Sequence, residues 1–154
     1  MIDVHILLSV LWLVESSGNL HPPDGKAGEV GPYQIRQCYL DDVNNEYGTR
    51  LTLDDCRKMT AARWVTLRYL EKYDALSSYE KACRVHNGGP RGHEKACTLP
   101  YWNRCKTFLR AEGVDVCTCG EQKVRLHVNG DPVHMACPAA MRDLVAGKKN
   151  EVCQ

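Results

Sequence analysis

Five apolar side chains near the start of the chain, Val4, Leu7, Leu8, Leu11 and Val14, fall at the spacing that lays one continuous stripe along a helix. Such a stripe has to be buried, so the segment predicts a core helix. Glu15-Ser16-Ser17-Gly18-Asn19 follows directly. Serine and asparagine side chains compete for backbone hydrogen bonds and glycine tolerates positive φ, so the helix is predicted to end within a residue or two of Glu15. Glu15 then stands at a helix C-terminus, at the mouth of a buried segment. The carbonyl ends of the helix and the apolar neighbours both disfavour an ionised carboxylate there, which suits a general acid working near neutral pH. A solvated glutamate on a helix end is the plainer alternative, and both fit this stretch taken alone.

A chain of 154 residues, 44% of them hydrophobic, is enough for one domain of ordinary size plus a small appendage. Twenty basic against nineteen acidic residues leave a formal charge of +1, so there is no bulk electrostatic case for nucleic acid or for an acidic membrane. No apolar run reaches transmembrane length. Ile6 to Val14 has neither a basic segment before it nor a small-residue cleavage site after it, and reads as helix, not as signal peptide. Nine cysteines are many for a cytosolic chain, and the odd count leaves at least one unpaired if the others form disulfides. Cys38, Cys56, Cys83, Cys97 and Cys105 spread through the first part, and Cys117, Cys119, Cys137 and Cys153 crowd the end. Disulfides in the first group, and a metal or further disulfides in the second, are both open.

After Asn19 the chain is too rich in Pro and Gly for regular structure up to Gly31, which predicts a loop or short hairpin with a turn at Asp24-Gly25. Gly31-Pro32-Tyr33-Gln34-Ile35 follows, a compact aromatic, amide and aliphatic cluster. Tyr and Gln on a loop between helices suit a sugar, because aromatic faces stack on C–H faces and an amide both donates and accepts. A buried Tyr33 and Ile35 with Gln34 at the surface is the alternative. Tyr39 to Tyr47 predicts a short helix ended by Gly48. Thr52 with Asp55 predicts a capped helix start, running to about Tyr73 with Cys56, Met59, Trp64, Leu67 and Leu70 in its interior. Ser77 or Ser78 predicts a cap for a helix through Val85 that breaks at His86-Asn87-Gly88-Gly89-Pro90. Pro100 to about Arg110 predicts a last helix with Tyr101, Trp102, Cys105 and Leu109 buried.

Glu15-Ser-Ser-Gly-Asn19, Gly31-Pro-Tyr-Gln-Ile35, Arg84-Val-His-Asn-Gly-Gly-Pro90 and Thr98-Leu-Pro-Tyr-Trp102, in that order, resemble the lysozyme-like glycosidases. The pattern is most like that of the invertebrate-type lysozymes, or destabilases, and more loosely like that of the soluble lytic transglycosylases. The resemblance covers roughly residues 5 to 110. It implies a mainly α (α+β, lysozyme-like) fold, with a helical catalytic domain at 1–110 and a loop or short hairpin at the cleft; residues 111–154 lie outside it and read on their own as a Cys-rich β-hairpin extension. Carried across residue by residue, it implies Glu15 as general acid and Asp24, seven residues before Gly31, as second carboxylate. Ser17, Gly31, Tyr33, Gln34, His86, Asn87, Gly88 and Tyr101 fall on substrate-binding positions. The chain departs from the family in a shorter Glu-to-Asp loop, in cysteine placement, and in His86 standing where the transglycosylases carry tyrosine.

Cleaving a glycosidic bond takes a protonated acid at the leaving oxygen and a means of managing oxocarbenium-like charge. Glu15 supplies the first. Asp24 supplies the second if it reaches the other face of the sugar, and otherwise the substrate's own acetamido group does. The expected activity is cleavage of peptidoglycan glycan strands, as a muramidase or lytic transglycosylase, with chitin less favoured. The alternative is a catalytically inactive peptidoglycan- or chitin-binding module on the same scaffold. Expected too are a monomer, secretion or delivery to the cell envelope, and no membrane insertion or nucleic-acid partner. Catalysis needs no cofactor.

Lys123 to Val128 alternates as a strand, Asn129-Gly130 is a two-residue hairpin signal, and Val133 to Ala136 returns as a second strand. Cys117, Cys119, His134 and Cys137 flank that turn and could gather three sulfurs and an imidazole around a structural zinc. The C-x-C spacing is not the C-x-x-C of zinc ribbons, and disulfides are the other reading. Either way a staple is required, since roughly forty residues cannot bury enough to stand alone.

Overall fold

The computed structural model describes residues 2–114 and 116, together with the backbone of 124–128 and 131–136. Helix α1 is Val4–Ser16. Asp3 opens it by accepting from the backbone N–H of His5 and Ile6 at 2.8 and 3.1 Å, which satisfies two of the orphan donors of the first turn. It closes where the sequence predicts, with Ser17 in the left-handed region and its N–H on the Leu13 carbonyl at 3.0 Å. Leu7, Leu8, Val10, Leu11 and Val14 are buried, and Val4 is only half-buried. Each fully buried aliphatic side chain contributes about 1.5–3 kcal/mol, so this face alone anchors the helix.

Helix α2 is Gln37–Tyr47, closed by Gly48 at positive φ. The reciprocal Thr52 and Asp55 bonds form, with the Thr52 N–H and hydroxyl donating to Asp55 Oδ2 at 2.9 and 2.8 Å. They open only one 3-10 turn, Asp55–Arg57. Lys58 is extended, and the long helix α3 is Met59–Lys72, not a single rod from Thr52. The break has a packing reason. A Cβ on Gly31, whose φ is +70°, would lie 2.1 Å from the Cys56 carbonyl oxygen, so the short turn closes directly onto the Gly31 backbone. The buried face of α3 is Ala62, Val65, Thr66, Tyr69 and Leu70, with Met59, Trp64 and Leu67 only half-buried.

Helix α4 is Tyr79–Gly88, and the Ser78 hydroxyl caps it by accepting from the Lys81 N–H at 3.1 Å. It runs on through His86, Asn87 and Gly88, residues whose sequence reads as a break and a turn. A helical glycine costs about 1 kcal/mol relative to alanine, but here a Cβ would meet Thr98 Cγ2 at 2.5 Å, so close helix packing requires it. Helix α5 is Leu99–Ala111, with Tyr101, Trp102, Cys105 and Leu109 buried as expected. Thr98 does not cap it. Its hydroxyl instead lies 2.8 Å from both the Gly92 and the Lys95 carbonyls, which share its one hydrogen.

The fold is mainly α. Helix α1 packs on α5, α5 on α4, α4 on α3, and α3 on α2. Trp102, Tyr33, Tyr79, Leu7 and Leu11 are the largest side chains enclosed between them. Val114 and Val116 are buried in the same core, beyond the boundary read at residue 110. The segment from 20 to 36 contains no strand; a lone antiparallel bridge joins Val30 and Ile35. Cys38 and Cys97 are exposed, Cys56, Cys83 and Cys105 are buried, and all five are free thiols. No helix among the described residues is long and apolar enough to cross a membrane.

In the extension, β1 (Val124–Val128) pairs antiparallel with β2 (Asp131–Ala136), from Val124 opposite Ala136 to Val128 opposite Asp131. The Asn129-Gly130 turn read from the sequence lies outside the described residues. The second strand starts two residues earlier than its alternation predicts, and the register shifts between Leu126 and His127. Cys117, Cys119, Cys137 and the side chain of His134 lie outside the described residues, and with them the proposed zinc set.

Candidate active site

Because α1 stops at Ser16, Glu15 occupies its last turn with 18% of its side chain exposed. Glu15 Oε1 accepts a hydrogen bond from the Tyr101 hydroxyl at 2.7 Å, supplied by α5. The same oxygen lies 3.4 Å from His86 Nε2, supplied by the last turn of α4. His86 is buried, and its Nδ1 stands 3.1 Å from the Tyr39 hydroxyl of α2. Burial and the neighbouring Glu15 carboxyl push the Tyr101 hydroxyl well above the ordinary tyrosine range, so it stays protonated and can only help Glu15 by donating. Arg104 Nη2 donates to the Val14 carbonyl at 2.6 Å. That places a cation against the negative end of α1, one of the carbonyls no helical N–H can reach.

A cleft of about 520 Å³ opens over this group, lined by Glu15, Glu29, Gln34, Arg36, Cys38, Tyr39, Tyr69, His86, Asn87, Gly88 and Gly89. Of the residues singled out in the sequence, Glu15, Gln34, His86, Asn87 and Gly88 are brought together on its walls. Tyr101 lies beneath, reaching the cleft through Glu15. Tyr33 points the other way. Only 1% of it is exposed, its hydroxyl donates to the Leu8 carbonyl at 3.1 Å, and burial raises its pKa to about 12. Gln34 sits at φ +48° between buried Tyr33 and Ile35. That backbone turn sends its amide to the cleft while its neighbours enter the core. Gly31 is buried against Cys56, and Ser17 is the exposed cap of α1; neither lines the cleft.

Asp24 is not among the lining residues either. Both its oxygens are engaged by Arg57, with Nη2 donating to Oδ2 at 2.8 Å and Nη1 to Oδ1. This pairing holds the carboxyl below the usual range. The second carboxylate on the cleft wall is Glu29. Its own backbone N–H and the Arg36 guanidinium hold it below the usual range, and its Oε2 accepts from the Ala27 N–H at 3.0 Å. Glu29 thereby ties off the 25–29 turn and fixes Arg36 at the cleft edge. Sequence reasoning missed Glu29, Arg36, Tyr39 and Tyr69. The first two flank the Gly31–Ile35 cluster and carried a usable signal; the two tyrosines lie inside helices and carried none. Among the described residues no cluster of His, Cys, Asp or Glu is fit to hold a metal ion.

Glu15 is thus a carboxyl at a helix end, approached from two other helices at the base of an open cleft. No family model matches the chain. Over 85 residues, 54% of this chain, it is 31% identical to a lysozyme of Ostrea edulis. It is 29% identical over 89 residues to a lysozyme of Meretrix lusoria, covering 54% of this chain and 70% of that one. The match spans 62% of the Ostrea protein's length, less than two thirds of it. A chain in the crystal structure of Aeromonas hydrophila PliI in complex with Meretrix lusoria lysozyme superposes with a TM-score of 0.60 at 25% identity, covering 71% of this chain and 93% of that one. The chain is similar to the invertebrate lysozymes in sequence and in fold.

Proposed function

We propose that this protein is a glycosidase that cleaves the glycan strands of peptidoglycan or a related N-acetylated glycan, with Glu15 as its general acid. The observation that carries the reading is the setting of Glu15, held at Oε1 by the Tyr101 hydroxyl at the base of the cleft. Glu15 delivers a proton to the glycosidic oxygen as the bond to the anomeric carbon breaks. A positioned acid of this kind contributes about 10²–10⁴-fold.

For the positive charge left on the sugar ring, participation by the substrate's 2-acetamido group is the reading favoured here, because Asp24 spends both oxygens on Arg57. Asp24 would take that part only after leaving Arg57. Gln34 and Asn87 on the wall offer amides to N-acetyl groups, while Tyr39 and Tyr69, almost wholly buried, back the wall from the core. A protein acting on such a substrate works at the cell envelope, which it reaches by secretion or delivery. Clearing of a purified peptidoglycan suspension, with mass spectrometry of the products, tests the reading. Reducing ends would mark hydrolysis and anhydro ends transglycosylation; no clearing, together with retained binding to the wall, would favour an inactive binding module.

A further inference from the structure

The two oxygens of the Glu15 carboxyl are not equivalent. Oε1 receives the Tyr101 hydroxyl at 2.7 Å and lies 3.4 Å from His86 Nε2. Oε2 has no hydrogen-bond partner among the described residues, yet it is not one of the buried unpartnered atoms, so it is open to the cleft. If both neighbours donate to Oε1, that atom is the carbonyl oxygen of the neutral acid and the proton sits on Oε2, where a glycosidic oxygen can meet it. The arrangement works only if His86 Nε2 carries a hydrogen. A bare Nε2 would accept from Oε1 and hold the acid proton on the wrong oxygen.

The other ring nitrogen decides this. His86 Nδ1 is 3.1 Å from the Tyr39 hydroxyl, whose second neighbour is the Thr66 carbonyl at 3.4 Å. That carbonyl lies inside α3, where one of its two lone pairs already serves the helix ladder, and it is the more distant of the two. The nearer acceptor is Nδ1. Tyr39 cannot swing away, since its ring stacks on Tyr69 with centroids 3.5 Å apart and meets the His86 ring edge-on at 5.6 Å. Burial, with Tyr69 beside it, keeps the Tyr39 hydroxyl protonated by pushing it well above the ordinary range. The charged and titratable groups facing this set are Glu29 and Arg36 across the cleft, Arg104 at the Val14 carbonyl, and the Cys83 and Cys105 thiols behind Tyr101.

We propose that Tyr39 is a positioning residue: by donating to His86 Nδ1 it fixes the imidazole hydrogen on Nε2, and so directs the acid proton of Glu15 to Oε2. This rests on Glu15 being the general acid. In the reaction the Oε2–H proton passes to the glycosidic oxygen, which keeps the electron pair of the breaking C–O bond. The negative charge left on the carboxylate meets the same two donors at Oε1.

The test is Tyr39→Phe in the full chain, which keeps the stacked ring and removes one hydroxyl. In the parent, ¹⁵N NMR of the neutral His86 ring should show the hydrogen on Nε2 and a hydrogen-bonded acceptor at Nδ1. In Tyr39→Phe that acceptor signature should vanish and the Nδ1–H tautomer should appear. On a soluble N-acetylated oligosaccharide, kcat should fall about five- to tenfold, the size of one hydrogen bond, with KM within about twofold. A parent His86 protonated on Nδ1 overturns the proposal, even in an active enzyme. So does a folded Tyr39→Phe with parental kcat and an unchanged tautomer. An inactive parent with His86 protonated on Nε2 overturns instead the glycosidase reading on which the proposal stands.

Discussion

Replacing Glu15 by Gln isolates the transferable proton from everything else the side chain does. The amide oxygen can still accept from the Tyr101 hydroxyl at the place now occupied by Oε1, and the amide nitrogen takes the open position of Oε2. An amide N–H does not pass its proton to a leaving alkoxide near neutral pH. Since 18% of the Glu15 side chain is exposed and its one short hydrogen bond is retained, folding stability should change by no more than about 1 kcal/mol. Loss of a general acid should slow cleavage by about 10²–10⁴-fold, an increase of roughly 3–5 kcal/mol in the barrier. The assay is clearing of purified peptidoglycan by the variant and parent at equal concentration, with circular dichroism and a urea titration run on the same samples. Clearing within about threefold of the parent by a folded variant, well under the contribution of any general acid, would remove Glu15 from the chemistry. The cleft would then need another acid.

Asp24→Asn should leave peptidoglycan clearing within about threefold, if the acetamido group does the work at the sugar ring; a loss of 10²-fold or more would return Asp24 to the mechanism. The same variant tests linkage. Because Arg57 depresses the folded pKa of Asp24, the stability the pair provides is present above the ordinary carboxylate range and disappears as pH falls through the lowered value. The gap in urea midpoint between parent and Asp24→Asn should therefore be widest near neutrality and close as pH falls through the lowered Asp24 value. Leu11→Ala, at a fully buried position on α1, should cost about 2–5 kcal/mol by urea titration. Gly31→Ala should lower the melting temperature more than an exposed Gly48→Ala, since both sit at positive φ but only the first drives a Cβ into the Cys56 carbonyl. Truncation after Arg110 should melt well below truncation after Val116, because the shorter chain loses Val114 and Val116 from the core at about 1.5–3 kcal/mol each.

Features that depend on residues a turn or two apart could be read directly from the chain. The spacing of Leu7, Leu8, Leu11 and Val14 marks the buried face of α1, and Ser17 and Gly18 mark its end. The buried side of α5 is right at all four positions, the caps at Gly48 and Ser78 are where they were read, and the two strands of the extension pair antiparallel. Helix periodicity, capping and turn geometry are local hydrogen-bonding and steric choices, and the residues that make them are neighbours in sequence.

Other features depend on which helices cross, and here tertiary packing overrode the local signal. The Thr52–Asp55 box forms as read, yet the chain leaves the helix at Lys58, next to the turn that closes over Gly31. His86 and Asn87 stay helical although Gly88 and Gly89 read as a break, since Thr98 fills the space a side chain at Gly88 would take. Which tyrosines face the cleft was not legible either. Tyr33 reads either as a sugar-stacking residue or as a buried one and lies in the core, whereas Tyr39 and Tyr69, which the sequence does not single out, border the cleft from the core. Asp24 meets Arg57 across 33 residues of chain, and Glu15 meets Tyr101 across 86. No periodicity or propensity carries information over such a separation. The Glu15 contact exists because burying the apolar faces of α1 and α4 against α5 brings polar groups of the three helices to one place, and that placement belongs to the packed core as a whole.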